Sequence, residues 1–224
     1  VGLALTADGG IDAIKILDGG GAGSGTISFE VNNANRFKLD TNSRISLSNN
    51  GGTGNTVFGY SAGTSIDSGS IDNTFIGHGV ASGSLNDATN NVGVGGASLY
   101  TMTTADYNTA VGTSSLFTNS TANNNTAIGN RAAFYTTGAD NTYVGFKAGF
   151  GAAGADANNV GVGSNALLAI TDGTHNVAVG YYSGVNLTTG DDNVMLGKSA
   201  GNAFNSSNVV AVGSNALAAI TSAD

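Results

Sequence analysis

From residue 55 onward the chain repeats one short hydrophobic phrase. A β-branched residue, a variable residue, a large apolar residue and a glycine follow one another in "TVFG", "TFIG", "TAVG", "TAIG", "TYVG", "VAVG" and "VMLG". Aligned on the glycine there are ten copies, at Gly59, Gly77, Gly95, Gly112, Gly129, Gly145, Gly163, Gly180, Gly197 and Gly213. Nine steps cover the interval from Gly59 to Gly213, so the mean period is about 17. Residues two apart share a strand face, and β-branched residues favour strands. Each copy therefore predicts a very short strand. The β-branched and large apolar positions, Thr126 and Ile128 or Val177 and Val179, are expected to face the core. The residue between them varies in size and is expected to face outward.

The polar positions repeat as strictly. Asn stands four places before the glycine in nine copies, as at Asn125 and Asn176. In the tenth, Asn208 stands five places before, which reads as a one-residue insertion. Asn accepts turn conformations and bonds to nearby backbone, and stacked Asn side chains can bond along a stack. The glycine, for example Gly129 or Gly180, suits a turn with positive φ or a close backbone approach. Three places after it, nine of ten residues are Ala or Ser, including Ala132 and Ser183. Such a column implies crowding by a neighbouring coil or chain. Stretches such as "YTTGAD" and "NLTTGDD" absorb the variation in length and are surface loops.

A unit this small cannot bury a core alone, but stacked units can. Parallel stacking at about 4.8 Å per coil gives an all-β parallel β-solenoid, or β-roll, of about ten coils over residues 51–224. A helix is a poor alternative, because glycine recurs in every unit and each core segment has period two. A thin solenoid gains by sharing a core with copies of itself, so a homotrimer is expected. Residues 1–50 read as a separate module. Ile27, Phe29 and Val31, then Phe37 and Leu39, then Ile45 and Leu47 alternate with polar residues, the pattern of short strands. "DGGGAGSG" at 18–25 reads as a turn or hinge, without the nine-residue period of Ca²⁺-binding glycine repeats.

Composition sharpens this picture. The 224 residues include 36 Gly and no Pro, Cys or Trp, and only 10% are charged. Average globular usage is about 7% Gly and about 25% charged. The period, not the composition, separates a repetitive fold from low complexity. Net charge is −8, with seven Lys and Arg against fifteen acids. A nucleic-acid binder needs a basic footprint, so nucleic acid is not an expected partner. Residues 51–224 carry ten acids and three bases, Arg131, Lys147 and Lys198. No apolar run approaches the roughly 18 residues of a membrane span, and no membrane insertion is expected. The chain opens at Val1 and reads as a processed or partial chain, which a targeting segment could precede.

Candidate chemistry is sparse. His78 and His175 lie six coils apart, about 29 Å, too far for one site within a chain. Asp191 and Asp192 are adjacent, whereas glycoside hydrolysis wants two carboxyl groups flanking a bond. Asp72, Asp140 and Asp192 each precede the motif Asn, which points to a turn role. Neither a phosphate loop nor a serine nucleophile elbow is present. No catalytic, metal or cofactor site is expected, and the chain does not read as an enzyme. The aromatics Tyr60, Tyr100, Phe134, Tyr135, Phe146, Phe150, Tyr181 and Tyr182 follow the turns. They either cover coil edges and an inter-chain seam or contact glycans. Tyr135, Tyr181 and Tyr182 are the candidates for receptor contact.

"NTAIGNRA" at 125–132 and "HNVAVGYYS" at 175–183 resemble the YadA-like head repeats of trimeric autotransporter adhesins, whose order is Asn-Ser-Val-Ala-Ile-Gly, two residues, then Ser or Ala. The resemblance covers residues 55–217 and implies a left-handed, trimeric β-roll. The longer period here, and the frequent Thr in the first apolar column, depart from that family. Similar arrays are also found in bacteriophage tail-fibre and tail-spike proteins, and the β-rich first 50 residues are similar to modules that precede such repeats. The expected function is a virion fibre or spike component, with other virion or appendage proteins and a host-surface glycan or protein as partners. The alternative is the head of a bacterial cell-surface adhesin, which a membrane barrel behind a coiled-coil stalk would identify. A polysaccharide-degrading spike is a third reading. An ice-binding solenoid would need a repeated Thr-x-Thr face, which the strands lack.

Overall fold

A computed structural model describes residues 12–18, 25–31, 34–39, 45–46, 52–152 and 154–218. Among the described residues there are two sheets. The first is antiparallel, in the order β1 (Asp12–Asp18), β2 (Gly25–Val31), β3 (Ala34–Leu39) and β4 (Ile45–Ser46). The alternating runs after residue 26 thus form strands as expected. β1 pairs with β2 from Asp12↔Val31 to Asp18↔Gly25. The turn expected at 18–25 falls on residues 19–24, which lie outside the described residues, as does Leu47.

The second sheet holds ten strands of three residues each. They are β5 (Thr56–Phe58), β6 (Thr74–Ile76), β7 (Val92–Val94), β8 (Thr109–Val111), β9 (Thr126–Ile128), β10 (Thr142–Val144), β11 (Val160–Val162), β12 (Val177–Val179), β13 (Val194–Leu196) and β14 (Val210–Val212). Every neighbouring pair is parallel, and the sheet order follows the sequence order. Registers such as Thr126↔Thr142 and Ile128↔Val144 place like columns over one another. The fold is a β-solenoid with a period of about 17, and no helix occurs among the described residues.

The strand faces are the reverse of the expected ones. The middle residue is the buried one in all ten strands, from Ala127 and Ala178 to Phe75, Tyr143 and Met195. The flanking columns point out of the coil: Thr126 and Val177 are half-buried, while Ile128 is 40% and Val179 39% exposed. The size variation of the middle column reflects volume sharing inside a coil too narrow for two apolar columns. Tyr143 is matched by Gly149 and Gly161, where an added Cβ would sit 2.5 and 2.9 Å from its ring. Met195 is matched by Gly184 and Gly201, at 2.8 and 2.7 Å. Where the middle residue is Gly93, Ala110 or Gly161, a leucine follows the small column instead: Leu99, Leu116 or Leu167, each fully buried. These coils thus keep interior close packing by trading volume between two positions, whereas Ala127 with Ala133 and Ala178 with Gly184 are small at both.

The small column is also intrachain. Ala132 and Ser183 are fully buried in the chain's own core, and Ser183 Oγ donates to the Met195 carbonyl at 2.8 Å. The crowding that selects Ala and Ser comes from the coil interior. It leaves no room reserved for another chain.

Candidate functional site

The repeated residues form a continuous scaffold. Asn125 N–H donates to Oδ1 of Asn108 at 2.9 Å, and its own Oδ1 accepts from N–H and Nδ2 of Asn141 at 3.0 and 3.1 Å. Asn176 donates through N–H and Nδ2 to Oδ1 of Asn159, and its Oδ1 accepts from Asn193 in turn. Each Nδ2 also donates to a loop carbonyl, Gly138 for Asn125 and Gly190 for Asn176. These amides are buried, where an unmade bond would be costly. The ladder ends at Val209, whose N–H donates to Oδ1 of Asn193 at 2.9 Å. Asn208 does not mark an insertion. Its φ of 62° matches Asp192 and Asn158 at the preceding turn position. Valine therefore replaces asparagine in the last coil at unchanged length.

The motif glycines serve both expected purposes. Gly129 and Gly180 each have φ of 137°, and a Cβ on them would fall 2.4 and 2.5 Å from the next glycine's carbonyl oxygen. That carbonyl lies directly along the stack, so neither a side chain nor a register slip fits.

The candidate catalytic groups stay apart. His78 stacks on Tyr60, with centroids 5.4 Å apart, while His175 holds a left-handed turn position and pairs with the Thr174 hydroxyl. Oδ1 of Asp191 accepts from N–H and Oγ1 of Thr174, pinning the previous loop, and Asp192 has φ of 58°. The expected turn role holds for Asp72 and Asp140 as well, with φ of 57° and 62°. No group of three or more His, Asp or Glu that could hold a metal ion occurs among the described residues. No helix among them is long and apolar enough to cross a membrane.

The aromatics do gather. Tyr100, Phe117, Phe134 and Phe150 stack in successive coils, with centroids 4.9, 4.7 and 5.4 Å apart. Tyr135 packs edge-on against Phe134 and Phe150 at 4.6 and 5.2 Å. Nζ of Lys147 lies 5.4 Å from the Phe146 centroid and 5.2 Å from that of Phe150. Phe117 was not singled out from the sequence, although "TSSLF", "NRAAF" and "FKAGF" place a Phe five residues after the glycine in three consecutive coils. Tyr181 and Tyr182 form a T-shaped pair, 4.4 Å apart, in the eighth coil. Three rungs, about 14 Å, separate that coil from Tyr135's, so the candidate contact residues form two patches. Burial raises the Tyr181 hydroxyl's pKa, with Tyr182 adding to the rise.

One buried polar pair escaped the sequence reading. The Tyr143 hydroxyl donates to Oδ2 of Asp156 at 2.9 Å inside the coil. Asp156 is 1% exposed, and its Oδ1 has no hydrogen-bond partner. Burial raises its pKa to about 7, against the lowering effect of bonds from Tyr143, Gly138 and Thr136. Burial and the neighbouring carboxylate raise the Tyr143 pKa as well. Two sequence signals could have found it: a Tyr in a column that holds Ala or Gly in most coils, and an Asp three places before the motif Asn, where the other coils hold Ser, Ala or Gly.

Comparison with family models, curated proteins and solved structures returns no significant match.

Proposed function

We propose that this chain is a structural fibre or spike component of a bacteriophage virion, acting as a stiff trimeric rod that contacts a host receptor through its loops. The observation that carries the reading is the outward sheet face. A column of Thr and Val and a column of large apolar residues run the length of ten rungs, about 43 Å, and both are half-buried or exposed among the described residues. A contiguous apolar face on this scale is rare on a monomer, and three such faces meeting around an axis would bury it. The stacked coils would fix length, and the loops would stand in rows, so that weak contacts gain avidity. This rod has no chemical step in its mechanism; geometry performs the function.

Two measurements test it. Mass spectrometry of purified virions should detect the full-length protein; finding it only in bacterial cell envelopes would favour a surface adhesin. Sedimentation should give a trimer, and Ile128→Asp with Val179→Asp should give smaller species. A folded monomer for the unmodified chain would rule out the shared core.

A further inference from the structure

Arg131 and Lys147 occupy the same place in consecutive coils, two residues after the motif glycine. Both are in the left-handed region, with φ of 56° and 53°. Their backbone N–H groups bond to the preceding coil in the same way, Arg131 to Thr113 and Lys147 to Asn130. The stacking therefore sets the backbones of the two cationic residues one rung apart, about 4.8 Å. Residues 51–224 contain only three bases against ten acids, so two of the three stand at one spot. Neither forms an ion pair with a described residue.

The surroundings of this pair are aromatic. Lys147 lies over the rings of Phe146 and Phe150, and Phe150 stacks on Phe134. Phe117 and Phe134 have ring neighbours on both faces, so only their edges remain. Phe146 and Tyr135 are different: they are 49% and 38% exposed, and neither is sandwiched in the stack. Sugar rings pack their C–H faces on exposed aromatic side chains, which carry apolar area and, in Tyr, a polar tip. The cations would meet carboxylate or sulfate groups on the same polymer. Duplex nucleic acid carries one charge per about 1.7 Å, a density two cations cannot answer.

We propose that Arg131, Lys147, Tyr135 and Phe146 form a docking patch for an acidic polysaccharide, with the cations on its anionic groups and the rings on its sugar faces. This deepens the receptor-contact part of the rod reading and rests on it. A chain of net charge −8 repels polyanions as a whole, so binding would report the local patch.

The test uses the full chain and immobilised probes: oligo-alginate for carboxylates, dextran sulfate for sulfate esters, neutral dextran, and oligo-dT as an undiscriminating polyanion. Other coils supply the substitutions. Ser61, Ser114 and Ser199 hold the position of Arg131 and Lys147, Thr101 and Thr118 that of Tyr135, and Ser164 that of Phe146. Arg131→Ser with Lys147→Ser should weaken the preferred acidic glycan about tenfold and flatten its salt dependence. Tyr135→Thr with Phe146→Ser should weaken it while keeping the salt dependence. Whether alginate or dextran sulfate binds better identifies the anionic group. Equal binding to oligo-dT, no preference over neutral dextran, no binding to either acidic glycan, or unchanged binding by the double serine variant would overturn the proposal. Sedimentation and thermal melting of the same samples report assembly and folding separately, so loss of the rod is distinguishable from loss of the patch.

Discussion

The hydroxyl of Tyr143 and Oδ2 of Asp156 share a 2.9 Å hydrogen bond in the interior of the sixth coil. The other carboxylate oxygen, Oδ1, is buried without a partner. Protonated, Asp156 can still accept from Tyr143, and desolvation no longer acts on a full charge. Its folded pKa is raised from 3.8 to about 7 by burial. A group with a raised folded pKa contributes stability that is full below its unfolded pKa and lost as pH rises through the folded one. This contribution should therefore be fully present below about pH 4 and be lost as the pH rises from there through about 7. The difference amounts to about 4 kcal/mol as an upper scale. Denaturant melts at pH 5 and pH 8 should show the loss, and Asp156→Asn should flatten it and raise stability at pH 8. Equal slopes for both proteins would remove Asp156 as the cause.

The asparagine ladder predicts an effect of different character. Asn176→Ala removes the Nδ2 bonds to Asn159 and Gly190, and leaves the Asn193 N–H buried without its acceptor. A loss of about 2–4 kcal/mol follows from several unmet buried groups. Asn176→Asp should be worse at neutral pH, because it turns a carboxylate oxygen toward the acceptors that Nδ2 now serves. Chemical denaturation of both variants checks the order; an aspartate variant more stable than the alanine one would contradict it.

Gly129→Ala and Gly213→Ala separate two contributions that the sequence cannot. Both glycines have positive φ, 137° and 123°. A Cβ at Gly129 would lie 2.4 Å from the Gly145 carbonyl oxygen, whereas at Gly213 no atom of the described residues lies within 4 Å. The Gly213 variant should cost chiefly the backbone term, about 1–3 kcal/mol. The Gly129 variant should cost several more, since the clash is with backbone that cannot move without opening the stack. Melting curves of the two variants give the comparison directly.

The parallel stack, its period and its turns were legible because they rest on columns that tolerate one or two residue types. Gly129, Asn125 and Ala132 are each constrained by the rung next to them, and a repeat reads out that constraint ten times. Strand polarity was not legible from the same logic. Ile128 is uniformly apolar and faces out, while Ala127 sits in a column of mixed size and faces in. Uniform hydrophobicity thus marks an outward column as readily as a core. Mixed size marks a core when a second position compensates, as Gly149 does for Tyr143. Asp156 is legible only against a column the motif does not include: three places before the ladder position, where Ala122, Gly138, Gly173 and Gly190 are small, it alone carries a charge, and its carbonyl accepts from Nδ2 of Asn141 as Gly190 does from Asn176.

That compensation makes the last prediction. Gly149 has φ of 58°, and a Cβ there would meet the Tyr143 ring at 2.5 Å. Backbone conformation alone does not forbid alanine, because Ala133 holds the equivalent position in the preceding coil with φ of 52°. Gly149→Ala should therefore destabilise chiefly through the ring. Tyr143→Ala alone should cost about 3–5 kcal/mol, as a large buried side chain leaves a cavity, and it also releases Asp156 from its hydroxyl partner. Together, the two changes reproduce the pairing of Ala127 with Ala133 one coil earlier. The double variant should be more stable than the sum of the single losses implies, with a coupling of at least about 1 kcal/mol between contacting sites. Additive losses in a double-mutant cycle would mean that the coils do not trade volume between these positions, and that glycine at 149 answers to the backbone alone.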